Sequence, residues 1–80
     1  MAKIVFPDSF APFTDGCKEL TSDAVTYREL TQELEARWPK LAEMLARTAV
    51  AIDGQIYQDA FVEPIGVQSE VFFMARIEGG

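Results

Sequence analysis

The sequence lacks histidine entirely and contains a single cysteine, Cys17. Without histidine, the chain cannot form a Ser-His-Asp or Cys-His catalytic set. One cysteine cannot form an internal disulfide or a cysteine-rich metal site. A reactive thiolate would need exposure and a lowered pKa, which the sequence does not indicate, so we interpret Cys17 as structural or incidental. The sequence also lacks a glycine-rich phosphate-binding loop. These absences predict a protein that is not an enzyme by itself and that binds neither a cofactor nor a metal.

Basic residues are few, because 7 lysines and arginines stand against 13 acidic residues, for a net charge of −6. That balance argues against nucleic acid as a partner, since phosphate contacts need clustered lysine and arginine. It fits a protein that docks onto basic surfaces of other proteins. The sequence has no apolar run long enough to span a membrane, and its first seven residues contain no signal-peptide core. We therefore expect no membrane partner and a cytoplasmic location.

The 80 residues are enough for one domain with a thin core. Apolar runs and turn signals predict strands over residues 4–6, 17–20, 49–52, 55–57 and 70–77. Thr26 and Glu29 have the spacing of a capping box and start a helix over residues 27–37. Pro39 interrupts the helical pattern, so a second, shorter helix is predicted over residues 39–46 with Pro39 at its first position. Asp53-Gly54 predicts a two-residue hairpin turn.

The order of these elements predicts an α+β fold. The first and last strands are the most continuously apolar, so we place them side by side at the centre of a mixed sheet of four to five strands. One main helix covers one face, and a short second helix follows it. This arrangement is a ubiquitin-like β-grasp. The predicted domain covers residues 1–76, and residues 77–80 form a flexible Gly-Gly tail.

Alternation along the last strand divides its side chains between two faces. The set assigned to the helix-covered core is Val71, Phe73, Ala75 and Ile77. The opposite set is Phe72, Met74, Arg76 and Glu78. Phe72 and Met74 then lie on the uncovered face beside Val5, where an exposed apolar patch indicates a partner site. The alternative is that a loop or another strand covers them.

The chain closes with Gly79-Gly80 directly after this strand. Two residues without side chains can enter a narrow channel, and residues 76–80 would reach roughly 15 Å when extended. A terminal carboxylate is ionised at neutral pH and is a poor electrophile, so another enzyme must activate it, most simply as an acyl adenylate. The alternative is an ordinary frayed terminus.

The sequence resembles the MoaD/ThiS family of sulfur carriers, which includes the small subunit of molybdopterin synthase. The resemblance rests on Ala51-Ile52-Asp53-Gly54-Gln55-Ile56, Pro64-Ile65, Ser69-Glu70-Val71-Phe72-Phe73 and Ile77-Glu78-Gly79-Gly80. It implies a catalytic terminus at Gly80, which becomes the acyl adenylate and then the thiocarboxylate, with Gly79 before it. It also implies a partner-binding set of Phe72, Met74, Arg76, Ile77, Glu78 and Val5.

The resemblance further implies three kinds of partner: an E1-like adenylating enzyme that uses ATP, a sulfurtransferase or other sulfur source, and a biosynthetic enzyme that accepts the sulfur. The pathway stays open between molybdopterin, cysteine, thiamine and another sulfur metabolite. Two other functions also stay open. The protein could be a ubiquitin-like modifier joined to lysines through Gly80, or a plain binding module with an inert tail.

Overall fold

The chain forms five strands and two α-helices in a computed structural model that describes residues 1–75, with only the backbone for Ala75. The elements are β1 (Ala2–Val5), a 3₁₀ turn (Asp8–Phe10), β2 (Glu19–Ser22), α1 (Tyr27–Arg37), α2 (Leu41–Leu45), β3 (Thr48–Ile52), β4 (Gln55–Tyr57) and β5 (Glu70–Ala75). The predicted bounds of α1 and β4 are confirmed. The predicted continuation of the last strand over residues 76 and 77 lies outside the described residues.

The strands form one mixed sheet in the order β2-β1-β5-β3-β4. β5 pairs with β1 in parallel and with β3 in antiparallel orientation. The first and last strands are therefore neighbours at the centre of the sheet, as their apolar sequences predicted. The predicted α+β architecture, with one main helix and a short second one, is confirmed.

Both ends of α1 follow from local chemistry. The backbone N–H of Glu29 donates to Oγ1 of Thr26 at 3.2 Å, which satisfies one of the free donors of the first turn. Trp38 ends the helix with a non-helical backbone (φ −133°, ψ 85°), because the residue before a proline avoids the α region. Leu30 and Leu34 are fully buried and attach the helix to the sheet.

Several predicted boundaries were wrong: β1 covers residues 2–5 rather than 4–6, β2 ends at Ser22 rather than Leu20, α2 ends at Leu45 rather than Ala46, and β3 begins at Thr48 rather than Ala49. Two further differences have a clear local cause. The second helix begins at Leu41 rather than at Pro39, because the N–H of Leu41 donates to Trp38 O and residues 39–40 form a tight turn. The second strand begins at Glu19 rather than at Cys17. Cys17 instead completes the preceding loop, where its N–H donates to Thr14 O at 3.0 Å.

Aromatic rings fill the core between α1 and the sheet. The Phe73 ring lies 5.6 Å from Phe10, 5.9 Å from Phe6 and 6.1 Å from Tyr27, measured between centroids. Trp38 meets the edge of Phe6 at 5.8 Å. Because Phe73 points into this cluster, its neighbours along β5 must point to the opposite face of the sheet.

The β3–β4 turn also fixes the start of β5. Asp53 (φ 51°) and Gly54 (φ 83°) both adopt the left-handed conformation that a two-residue hairpin turn requires. The Asp53 carboxylate accepts hydrogen bonds from Ser69 Oγ at 2.6 Å and from the N–H of Glu70 at 3.0 Å. These two hydrogen bonds lower the pKa of Asp53 below its ordinary value, and the bond from Ser69 has the larger effect. The turn thus attaches the loop before β5 to the end of β3.

Candidate functional site

The sheet face opposite α1 carries a row of apolar side chains across four strands. The backbone register pairs Val5 with Phe72, Phe72 with Ala51, and Ala51 with Ile56. Paired residues of neighbouring strands share a face, so these four side chains lie side by side. We call this row, together with Met74 and Ala49 of the next pair, the open face.

The residues of the open face differ in their solvent exposure. Phe72 is 41% exposed and Ile56 is 52% exposed, whereas Ala51 between them is 7% exposed. Val5 and Met74 are half-buried. The two large side chains therefore flank the covered Ala51 and offer exposed apolar surface to another protein.

Charged residues border the open face along β1, β2 and the start of β5. Lys3 and Glu70 are paired two residues before Val5 and Phe72, and therefore lie on the same face of the sheet. Glu19 is paired with Val5, and its carboxylate lies 3.6 Å from Lys3 Nζ. Both of these charged side chains are more than half exposed, so the ion pair contributes little to stability and remains accessible to a partner. An apolar centre with a charged border is the usual composition of a protein-binding surface.

The predicted site residues divide between the described and the undescribed parts of the chain. The structure brings Phe72, Met74 and Val5 together on the face that lacks a helix, as the strand alternation predicted. The remaining predicted residues are Arg76, Ile77, Glu78, Gly79 and Gly80, which lie outside the described residues and stay predictions.

Sequence reasoning missed Ile56 and Ala51 as members of the open face. A signal for part of the row was present, because the two-residue turn at Asp53-Gly54 fixes the pairing of Ala51 with Ile56. Their position beside Phe72 depends on the pairing of β3 with β5, which connects residues far apart in the sequence.

Reactive groups on the described part of the chain are engaged in the fold. The Cys17 thiol is half-buried and donates to the Glu19 carbonyl at 3.3 Å. Burial, and secondarily the charge of Glu35, raises the pKa of Tyr27 to about 12, so its phenol stays protonated at neutral pH. Residues 1–75 contain no cluster of three or more carboxylate, cysteine or histidine side chains arranged to hold a metal ion. In the same range, no helix has the length and apolar character that crossing a membrane requires.

Comparison with known proteins gives a match in structure and none in sequence. No protein-family model matches the chain, and no curated protein matches it. A chain in the crystal structure of the Amycolatopsis orientalis BexX/CysO complex superposes with a TM-score of 0.84, covering 100% of both chains at 13% sequence identity. This likeness decides the fold. The protein is a ubiquitin-like β-grasp. At this identity the match establishes the architecture and assigns no residue roles.

Proposed function

We propose that this protein is a cytoplasmic sulfur carrier that works through the C-terminal carboxylate of Gly80. The observation that supports the proposal most is the open face, an exposed apolar row on the central strand of a β-grasp body. That strand leads, in the sequence, to Gly79-Gly80. A docking surface and a terminal reactive group on one strand fit a protein that other enzymes hold and modify.

The proposed chemistry begins with activation of the carboxylate. An E1-like enzyme transfers AMP from ATP to the Gly80 carboxylate and releases pyrophosphate, which converts a poor electrophile into a mixed anhydride. A hydrosulfide equivalent from a sulfurtransferase or other source then attacks the acyl carbon, and AMP leaves. The product is a thiocarboxylate, whose sulfur is nucleophilic and can pass to a biosynthetic enzyme.

In this proposal the body binds and the partners catalyse. The buried polar side chains of the described residues are Thr14, Ser22 and Ser69, and each is hydrogen-bonded within the fold. They stabilise loops and strand ends rather than face an open site. The structurally similar chain was itself crystallised in a complex, BexX/CysO, which supports a docking role for this fold.

The test is intact-mass analysis after incubation with the activating enzyme, ATP and a sulfur source. We expect one oxygen of the Gly80 carboxylate to be replaced by sulfur, and we expect no such change after deletion of Gly80. Phe72→Asp should slow the modification. Val67→Asp is a matched control because Val67 is 76% exposed and lies in the turn before Ser69, away from the open face. An unmodified carboxylate in the presence of an enzyme that demonstrably adenylates the protein would contradict thiocarboxylate formation.

The alternative function is a ubiquitin-like modifier conjugated to lysines through Gly80. The ubiquitin-like fold and the Gly-Gly end support the modifier as strongly as the carrier, because both functions begin with adenylation of the Gly80 carboxylate. The two functions differ in the nucleophile, which is sulfur for a carrier and a lysine amine for a modifier. Ile-Glu-Gly-Gly remnants on lysines of cellular proteins after tryptic cleavage behind Arg76 would favour the modifier, and their absence would favour the carrier.

A further inference from the structure

A second surface lies on the helix-covered side of the molecule, apart from the open face. It is a groove of about 410 Å³ between the loop over residues 12–15 and the α1–α2 junction over residues 37–40. We call it the junction groove. Its apolar lining is Pro12, Phe13, Trp38 and Pro39, and its charged lining is Arg37, Lys40 and Asp15.

The walls of the groove are fixed by hydrogen bonds and ring contacts. In the loop, Thr14 Oγ1 donates to Cys17 O at 2.9 Å, and the N–H of Gly16 donates to Ala11 O at 3.0 Å. On the opposite wall, the N–H of Trp38 donates to Leu34 O at 2.8 Å. A groove whose walls are already ordered needs little reorganisation to bind a ligand, which favours affinity.

The charge of the groove is opposite to that of the chain. The Arg37 guanidinium lies 4.6 Å from the ring centroid of Trp38, which holds it in place by a cation–π contact. Lys40 is exposed at the start of α2. Within residues 1–75 the ion pair is between Lys3 and Glu19, so neither Arg37 nor Lys40 forms an ion pair with a described carboxylate. Among the lining residues, two cations stand against the one carboxylate of Asp15, so the lining has a net charge of +1 on a chain of net charge −6.

We propose that the junction groove binds a short acidic segment of a partner protein. Arg37 and Lys40 receive its carboxylates, and the surfaces of Phe13 and the two prolines receive an apolar side chain between them. A polyanion such as nucleic acid is disfavoured, because the overall negative charge repels it beyond the groove. A segment with one or two carboxylates avoids that repulsion and gains from a guanidinium already oriented by Trp38.

The groove lies where a bound partner would be held near one end of the sheet. Binding there does not require the chemistry proposed for Gly80. Trp38 packs on Phe6, which directly follows β1. Since β5 is parallel to β1, the groove lies at the end of the sheet towards which β5 runs. A partner segment bound there would attach the partner at that end, on the face opposite the apolar row.

The experiment uses Trp38, the single tryptophan of the chain, as the reporter. The full-length protein is titrated with the blocked peptide acetyl-Glu-Leu-Pro-Glu-amide, and with the same peptide carrying glutamine in place of both glutamates. Tryptophan fluorescence and backbone amide NMR shifts of residues 12–15 and 37–40 are followed. The NMR readout is needed because Arg37→Gln removes the guanidinium over the indole and changes its emission directly.

The test variant is R37Q/K40Q, and the matched control is R28Q/R47Q, which removes the same charge from outside the groove. We expect saturable binding that weakens about fivefold or more for the glutamine peptide and for R37Q/K40Q. For R28Q/R47Q we expect affinity within about twofold of the unaltered protein. The absence of saturable binding at millimolar peptide, equal binding of the glutamine peptide, or an equal loss in both double variants would overturn the proposal. Full displacement of the peptide by millimolar inorganic phosphate would also overturn it, because the groove would then be a simple anion site.

Discussion

Phe72 and Phe73 are consecutive residues of β5 that point to opposite faces, and truncating each should separate stability from binding. Phe73 is 4% exposed, and its ring packs among three aromatic neighbours. Phe73→Ala should therefore cost about 3–5 kcal/mol of unfolding free energy, from lost burial and from the cavity left behind. For a domain of this length that is a large part of the total, about 4–12 kcal/mol.

Phe72→Ala should cost much less. The side chain is 41% exposed, so a little over half of its surface is buried. Complete burial of a phenylalanine stabilises by about 1.5–3 kcal/mol, which scales here to about 1–2 kcal/mol. No enclosed cavity forms on a face open to solvent. The difference between the two variants should accordingly be about 1–4 kcal/mol.

The assay is urea unfolding followed by far-ultraviolet circular dichroism, with the slope m compared between variants to confirm equal exposure on unfolding. Modification by the activating enzyme is then measured for each folded variant. Phe72→Ala should slow it while leaving the fold intact. Phe73→Leu, a milder core change for the case that the alanine variant unfolds, should lower stability and leave modification unchanged. Equal stability losses for Phe72→Ala and Phe73→Ala would refute the face assignment, and normal modification of Phe72→Ala would refute the role of the open face.

Three further predictions follow from single contacts. Asp53→Asn should lower stability at neutral pH. The lowered pKa of Asp53 means that its contribution is present above the ordinary aspartate pKa and is lost as the pH falls through its folded value, so acid unfolding followed by circular dichroism should be less steep in the variant. Tyr27, with a pKa of about 12, should contribute stability that is present below pH 10 and is lost as the pH rises through about 12. Phenolate absorbance should show this late titration, and Tyr27→Phe should remove it. Thr26→Ala should cost about 1 kcal/mol in urea unfolding because the N–H of Glu29 loses its acceptor, whereas Thr26→Ser should retain most of the stability.

Local signals at both ends explain why α1 was predictable from sequence. Thr26 supplies the cap at its start, and Pro39 forces Trp38 out of the helical conformation at its end. The start of β2 lacked such a signal. Cys17 belongs to a loop that is attached to the rest of the fold by Phe10, which is fully buried in the core. A boundary set by tertiary contacts cannot be read from a window of neighbouring residues.

The same distinction applies to the open face. The position of Phe72 and Met74 on the open face was predicted because the alternation of side chains along a strand is a local property. Once one residue of the strand is assigned to the core, the faces of its neighbours follow. Ile56 belongs to a three-residue edge strand with little pattern of its own. Ile56 lies on the open face because β3, its neighbour, pairs with β5. That pairing connects residues about twenty positions apart, and the alternation within each strand does not reveal it.

The modest size of the open face is consistent with the proposed carrier role, in which the protein must leave each partner after transfer. Only a few large side chains stand exposed on it, so the apolar area available for burial is small, and tight binding would need additional contacts. The net charge of −6 can raise the rate of encounter with basic partners without slowing dissociation to the same extent. The junction groove adds an attachment on the opposite face, where a partner with an acidic segment could bind while the open face is occupied or free. Successive partners could then be distinguished by which surfaces they use, although all of them would meet the same terminal carboxylate.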